Sequence, residues 1–329
     1  MQLLDDRVKQ IRLFLIQIIF FGLILSPSYG ASAPIAIVDI DDLSIESLGR
    51  WPWTRDVHGR LIEKLNQYGV RAVVFDILFS ELDERYPEKD AQFLAEIKHY
   101  RNVFLASAVN FSLRSGNILN LKAMERFQLK YPKGVKAEIR DGTGGLFPVP
   151  DFSAAAKGVG LTNVFGENEN VVPGESGRIE VSPRGQGVVR QFPMVLFLGE
   201  HLYPSLPLIV ALDLLNIPIH QVRVEPGEFI QIGSMRLPID MEGDMDLSFD
   251  QPFTKYKHYS YVEVLKKNKG NRFQMLKDHV VIISYNATGL ADYKVTPVSN
   301  YFPGSELIAT AIDNILNYKN IVQLRRNQK

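Results

Sequence analysis

Two apolar runs, "PIAIVDID" (Pro34–Asp41) and "VRAVVFDILFSE" (Val70–Glu81), constrain this chain more than anything else in it. Each is continuous rather than alternating, so each predicts a strand buried on both faces, and each runs out into acid. Between them, "RDVHGRLIEKLNQYG" (Arg55–Gly69) sets Val57, Leu61, Ile62 and Leu65 at helical spacing and stops at glycine, a usual helix exit. Strand, helix and strand form a crossover unit whose right-handed sense makes the two strands parallel. Laid side by side, they gather Asp39, Asp41, Asp76 and Glu81 at one carboxyl edge, where open parallel sheets bind ligands.

The pattern continues. "EKDAQFLAEIKHYRN" (Glu88–Asn102) is an amphipathic helix, and "VFLASAVN" (Val103–Asn110) is a third strand. From Asn110 to Pro150 no period is sustained, which marks an inserted excursion. Gly187–Leu215 predicts a hairpin turning at Gly199-Glu200, then a helix from about Leu206. Phe229–Ile239 predicts a second hairpin around Gly233-Ser234. "HVVIISYNA" (His279–Ala287) returns as a buried strand, and "GSELIATAIDNIL" (Gly304–Leu316) closes as a helix. The fold class is α/β: a mainly parallel central sheet, flanking helices and an embellished middle containing hairpins. An apolar fraction of 46% gives such a body ample core.

Lys plus Arg is 37 and Asp plus Glu is 37, so the basic footprint of a nucleic-acid binder is missing. Cysteine is absent, which excludes disulfides, thiolate metal sites and cysteine nucleophiles and is compatible with an oxidising compartment. Arg7, Lys9 and Arg12 precede an apolar run, Leu13–Leu25, followed by the small residues of "SYGASA". This order reads as a secretory signal over residues 1–30, or as an anchor if the segment is retained. The run is shorter than the ~20 residues that span a bilayer. Either way the body, residues 34–318, is expected outside the cytoplasm, with a short basic tail over 319–329.

Candidate chemistry collects around the strand ends. Asp39 and Asp41 alternate onto one face of their strand. Converging with Asp76 they would need basic partners, a raised pKa or a hard cation such as Mg²⁺ or Ca²⁺. Structural duties compete with that reading. Asp41 or Asp42 can cap a short helix starting near Leu43, as can Ser44, and Arg55 can pair with Asp39 or Asp76. "RWPWTRDVHGRL" (Arg50–Leu61) holds both tryptophans. With Pro52 between them, Trp51 and Trp53 are expected to point in different directions, one packed down and one over the acids, with His58 facing the loop. "ATGLADYKVTP" (Ala287–Pro297) can add Thr288 and Asp292 to the same rim. The six histidines show no metal-ligand spacing. "GESG" (Gly174–Gly177) lacks the second glycine of a nucleophile elbow, since residue 178 is Arg.

Seven pieces in order, from "VDIDDLSIESLGRWPWTRDVHGRLIEKLNQYGVRAVVFDILFSELD" through "DFSAAAKGVGLTNV", "GVVRQFPM", "YPSLPLIVAL", "LPIDMEGDMDLSFDQP" and "YSYVEVL" to "VVIISYNATGLADYKVTPVSNYFPGSELIATAIDNIL", carry a resemblance. The chain resembles the CHASE domain of the second type, an extracytoplasmic sensor domain of bacterial cyclases, histidine kinases and related receptors. Ile308 departs from the family, whose closing helix commonly carries histidine there. The resemblance implies a non-enzymatic periplasmic sensor that needs no cofactor and binds a small-molecule or protein signal. It also implies a membrane-embedded partner of cyclase or kinase type. Because the chain ends soon after Tyr318, that partner is expected to be a separate protein. The rival expectation is a secreted metal-dependent hydrolase built on Asp39, Asp41 and Asp76.

Overall fold

Ile35–Ile40 forms β1, and every residue in it is buried, as a strand covered on both sides requires. The computed structural model describes residues 34–111, 118–119, 121–132, 139–166, 187–249, 255–266 and 273–318. The expected leader over 1–30, the acidic loop with its "GESG" and the tail over 319–329 lie outside the described residues. Asp42–Leu48 is a short helix, α1, and Arg55–Gln67 is α2. Ala72–Leu78 is β2, Pro87–Tyr100 is α3, and Val103–Asn110 is β3. The excursion contributes Gly144–Leu146 (β4), and Pro150–Ala155 (α4) and Gly158–Leu161 (β5) follow it. Leu206–Leu214 is α5, Lys257–Ser260 is β6, Tyr261–Leu265 is α6, Val280–Tyr285 is β7 and Gly304–Leu316 is α7.

The central sheet runs β6-β1-β7-β2-β3-β4, ending on the short strand Ile118–Leu119, with β5 also paired to β3. The pairs from β6 to β3 are parallel, as is β5 with β3, whereas β4 is antiparallel. One expectation is overturned: β1 and β2 are parallel but not neighbours. β7 lies between them, pairing Val38 with Ile283 on one side and Phe75 with Ile283 on the other. Nothing local in the first two strands announces that insertion, because a buried strand presents the same apolar run to any partner. At the free edge, Lys257 and His258 place polar side chains on β6, which discourages further strand pairing.

Helices cover both faces. On one, α2 packs against α3 and α6, and α3 against α4; on the other, α5 packs against α7 and β5. Both expected hairpins form, Val195–Leu198 with His201–Pro204 and Phe229–Ile232 with Met235–Pro238. Their turns rest on Gly199 (φ 62°) and Gly233 (φ 57°), left-handed positions that glycine fills without strain. A third hairpin, Tyr293–Thr296 with Ser299–Pro303, was not read from the sequence. Its strands are short and largely exposed, so no apolar pattern betrays them. Among the described residues no helix is long and apolar enough to cross a membrane.

The contact between β5 and α5 depends on missing side chains. A Cβ on Gly160 would sit 2.5 Å from the backbone N and Cα of Leu206, where α5 begins. Gly59, within α2, has room: a Cβ there meets Glu96 Cγ at 3.4 Å and Phe93 Cα at 3.6 Å. Gly160→Ala is therefore expected to destabilise by about 1–3 kcal/mol through overpacking. Gly59→Ala is expected to stabilise by up to about 1 kcal/mol through helix propensity. Chemical denaturation of the two variants checks both signs.

Candidate functional site

The Trp-Pro-Trp segment forms a packed plug. Trp53 is buried, its indole N–H donates to the Gly49 carbonyl at 2.7 Å, and its ring lies 5.0 Å from Tyr261. Trp51, half-buried, stands edge-on to Trp53 at 5.1 Å and to Tyr285 at 5.2 Å. The indoles therefore converge on one cluster, contrary to the expectation that they diverge; the Trp51–Pro52 peptide between them is cis. His58 does not face the loop. It is fully buried among Trp51, Phe75, Phe79, Phe93 and Tyr261, with Nδ1 2.8 Å from the Tyr261 hydroxyl. Burial, helped by the charge of Arg55, pushes its imidazole down to about 3. It is a neutral core residue at physiological pH, with only Trp51 of this group reaching the surface beside Tyr285.

Arg55 also departs from expectation. Its Nε lies 3.7 Å from Asp90, not against Asp39 or Asp76, and its Nη2 donates to the Glu81 carbonyl. Its guanidinium stands 4.9 Å from the centre of the Phe79 ring. Asp90 in turn accepts from the Asp83 backbone N–H at 2.7 Å. Arg55 thus staples the loop after β2 to α3, while the Glu81 side chain points to solvent.

The expected three-carboxylate cluster does not form. Asp39, Ser284 and Asp76 share one row across β1, β7 and β2, but β7 holds the outer two apart by two strand spacings, about 9.6 Å. Asp76 accepts from the Ser284 hydroxyl at 2.9 Å, and burial raises its carboxyl to about 7. Asp41 caps α1, accepting from the Ser44 N–H and hydroxyl and from the Ser260 hydroxyl. Asp42 accepts from both the N–H and the hydroxyl of Thr288, tying the loop after β7 to the start of α1. Among the described residues no group of three or more His, Cys, Asp or Glu side chains is arranged to hold a metal ion. The geometry that would bind Mg²⁺ or Ca²⁺ through Asp39, Asp41 and Asp76 is not present.

Asp39 instead belongs to a charged bridge that the sequence did not reveal. Its Oδ2 lies 2.7 Å from His258 Nδ1 on β6, and His258 Nε2 lies 3.1 Å from Glu306 on α7. Both acids are buried, and the imidazole keeps 29% of its side chain exposed. Burial opposes its charge, but the bonds to Asp39 and Glu306 outweigh it and raise the imidazole to about 9. One cation therefore joins the edge strand, β1 and the closing helix. No ligand spacing flags His258, and its partners are brought to it only by the fold.

At the rim, Thr288 and Asp292 are exposed, and Asp292 pairs with Lys294 at 3.0 Å. The Asp292 carbonyl accepts from the Gly304 N–H at 2.8 Å, so this loop abuts the first residue of α7. Of the residues singled out from sequence, Asp42 meets Thr288, while Asp292 lies close enough for its charge to raise Asp76 further. Trp51 joins Tyr285 beside them. Asp39, Asp41, Trp53, Arg55 and His58 serve the packing behind.

The shifted groups fix signs. Raised from 6.5 to about 9, His258 contributes stability that is complete below pH 6.5 and lost as pH rises through 9; His258→Gln should abolish that loss. Urea denaturation as a function of pH checks it. For Asp76, raised from 3.8 to about 7, stability is complete below pH 3.8 and declines as pH rises through 7. Asp76→Asn keeps an acceptor for Ser284 and should exceed the parent in stability above pH 7 while matching it in acid.

A family model described as the CHASE2 domain matches residues 3–329. No curated protein and no solved structure matches the chain. With the match running over essentially the whole sequence, and the seven ordered pieces falling on the strands, rim loops and closing helix described above, the chain belongs to the CHASE2 family of extracytoplasmic sensory domains.

Proposed function

We propose that this chain receives a signal at the carboxyl rim of its sheet and passes it through α7 to a membrane-embedded transducer of cyclase, kinase or similar type. Family membership supports the sensory role and the location outside the cytoplasm. The apolar run Leu13–Leu25 fits export or tethering, with its basic start and small-residue exit. The reading is non-enzymatic: the acids nearest the rim are engaged by Ser284, Thr288 and Ser44 rather than directed at a common reacting atom.

The observation that carries the mechanism is the bond from the Gly304 N–H to the Asp292 carbonyl. A signal held by the exposed side chains of Thr288, Asp292 and Tyr293 would act on the loop that starts α7. Glu306, two residues beyond Gly304 in the same first turn, is gripped by His258. A ligand moves such a helix only if it binds two arrangements unequally. The Asp42–Thr288 pair, exposed and short, is the place where the rim loop is held in one arrangement.

Asp42→Ala removes both bonds from Thr288 and tests the coupling without a known ligand. Backbone hydrogen exchange is expected to quicken at residues 288–292 and through the first turn of α7, with the denaturation midpoint nearly unchanged. Faster exchange confined to the loop would overturn transmission through this helix.

A further inference from the structure

In this net-neutral chain the exposed charges fall unevenly on the two edges of the sheet. Acids follow the strands: Asp41 and Asp42 after β1, Glu81 after β2 and Asp292 after β7. Bases precede them. Arg71 stands before β2, Arg101 before β3, Lys157 before β5 and Lys277 before β7, and Lys257 opens β6. All five are exposed. Lys157 is paired with Asp213 on α5, but no carboxylate lies within ion-pair distance of Arg71, Arg101, Lys257 or Lys277 among the described residues. Within these entry segments the single carboxylate is Asp278.

Both ends of the described body emerge at that basic edge. Pro34 leads directly into β1 there, and its carbonyl accepts from Val280 N–H at the start of β7. α7 starts against Asp292 at the opposite edge and returns antiparallel to the strands. Its 13 residues rise about 20 Å, the length of a six-residue strand. Asp313, near its end, pairs with Lys255 just before β6. Between these exits lies an open groove of about 320 Å³ lined by Pro34, Lys257, Tyr259, Met275 and His279. Lys257 and the half-exposed Met275 give this groove a cationic and an apolar element, and its one lining carboxylate, Asp313, is neutralised by Lys255, a combination suited to the interfacial zone of a bilayer.

We propose that the amino edge of the sheet docks on an anionic lipid surface, with Arg71, Arg101, Lys257 and Lys277 facing the phosphates. The occupant is argued from two features: a row of unpaired positive charge along the amino edge, and the covalent continuity of that edge with the segment carrying the apolar run Leu13–Leu25. Each basic residue near an anionic surface strengthens attachment roughly fivefold, and salt screens the effect. The proposal concerns orientation at the membrane and stands apart from transmission through α7.

Because the chain has no cysteine, one can be placed at will. The full chain carrying Gln274→Cys, at the basic edge, or Leu290→Cys, at the acidic rim, would be labelled with a fluorophore. It would then be reconstituted into vesicles whose headgroups bear a nitroxide quencher. Any insertion by the apolar segment is common to all vesicles, so only the edge facing the lipid is read. The expected result is quenching at position 274 several-fold stronger with phosphatidylglycerol present than in phosphatidylcholine alone. It should fade at high salt, and in the combined Arg71→Gln, Lys257→Gln and Lys277→Gln variant, with position 290 dark to the quencher throughout. Equal quenching at both positions, none at 274, or quenching indifferent to lipid charge would overturn the proposal. The salt arm uses the unmodified basic edge, so a folding defect in the triple variant cannot decide the outcome.

Discussion

β7 enters between β1 and β2 and pairs in parallel with both, and the rest of the molecule depends on that insertion. Ser284 and Asp76, joined by a hydrogen bond, are 208 residues apart in the chain. A strand with buried residues on both faces is held mainly by main-chain bonds and apolar burial, so its place is won by completing two ladders at once. Through it, the loop after β7 is delivered beside α1, where Thr288 finds Asp42, and beside α7, where Asp292 meets Gly304. Without β7 at the centre the rim would have no second half.

The same insertion explains the electrostatics. In a side-by-side arrangement Asp39 and Asp76 would have repelled each other and required a counter-ion. Separated by Ser284, each meets a different solution. Asp76 is pushed toward the neutral form, with a pKa of about 7, whereas Asp39 is offset by an imidazolium. That imidazolium also reaches Glu306, so a single buried charge system fastens the free edge of the sheet to α7. Such a bridge adds modest net stability because desolvation consumes much of the attraction, but removing one partner leaves buried charge uncompensated. Its effect is to fix where the helix lies.

How much of this was readable varied with the range of the interaction. β3 matched its apolar run residue for residue, and both glycine-turned hairpins and the closing helix formed where periodicity put them. The capping role of Asp41 was also legible, since a cap needs only residues three apart. Placing Thr288 and Asp292 at the rim of the strand-end acids also held, but most inferences that required knowing which distant segment comes alongside failed. Arg55 was matched with strand-end acids but met Asp90 on the following helix. His58 looked polar and loop-facing because its neighbours in sequence are polar; its neighbours in space are six aromatic rings. His258 carries no local sequence signal, yet it has the most consequential polar contacts of any histidine described.

Aromatic residues spent beside polar ones in "RWPWTRDVHGRL" therefore have a structural explanation. The polar groups divide by depth: His58 goes inward as a neutral ring, Arg55 goes sideways to a loop, and Trp51 is left at the surface against Tyr285. Tyr285 is the last residue of β7 and is followed at once by the rim loop. In the proposed mechanism, the packing that holds Trp51 against Trp53 and Tyr285 would give that loop a wall to move against. Rigidity behind and short exposed bonds in front are what a signal needs if its binding is to shift a helix rather than be absorbed by a yielding core.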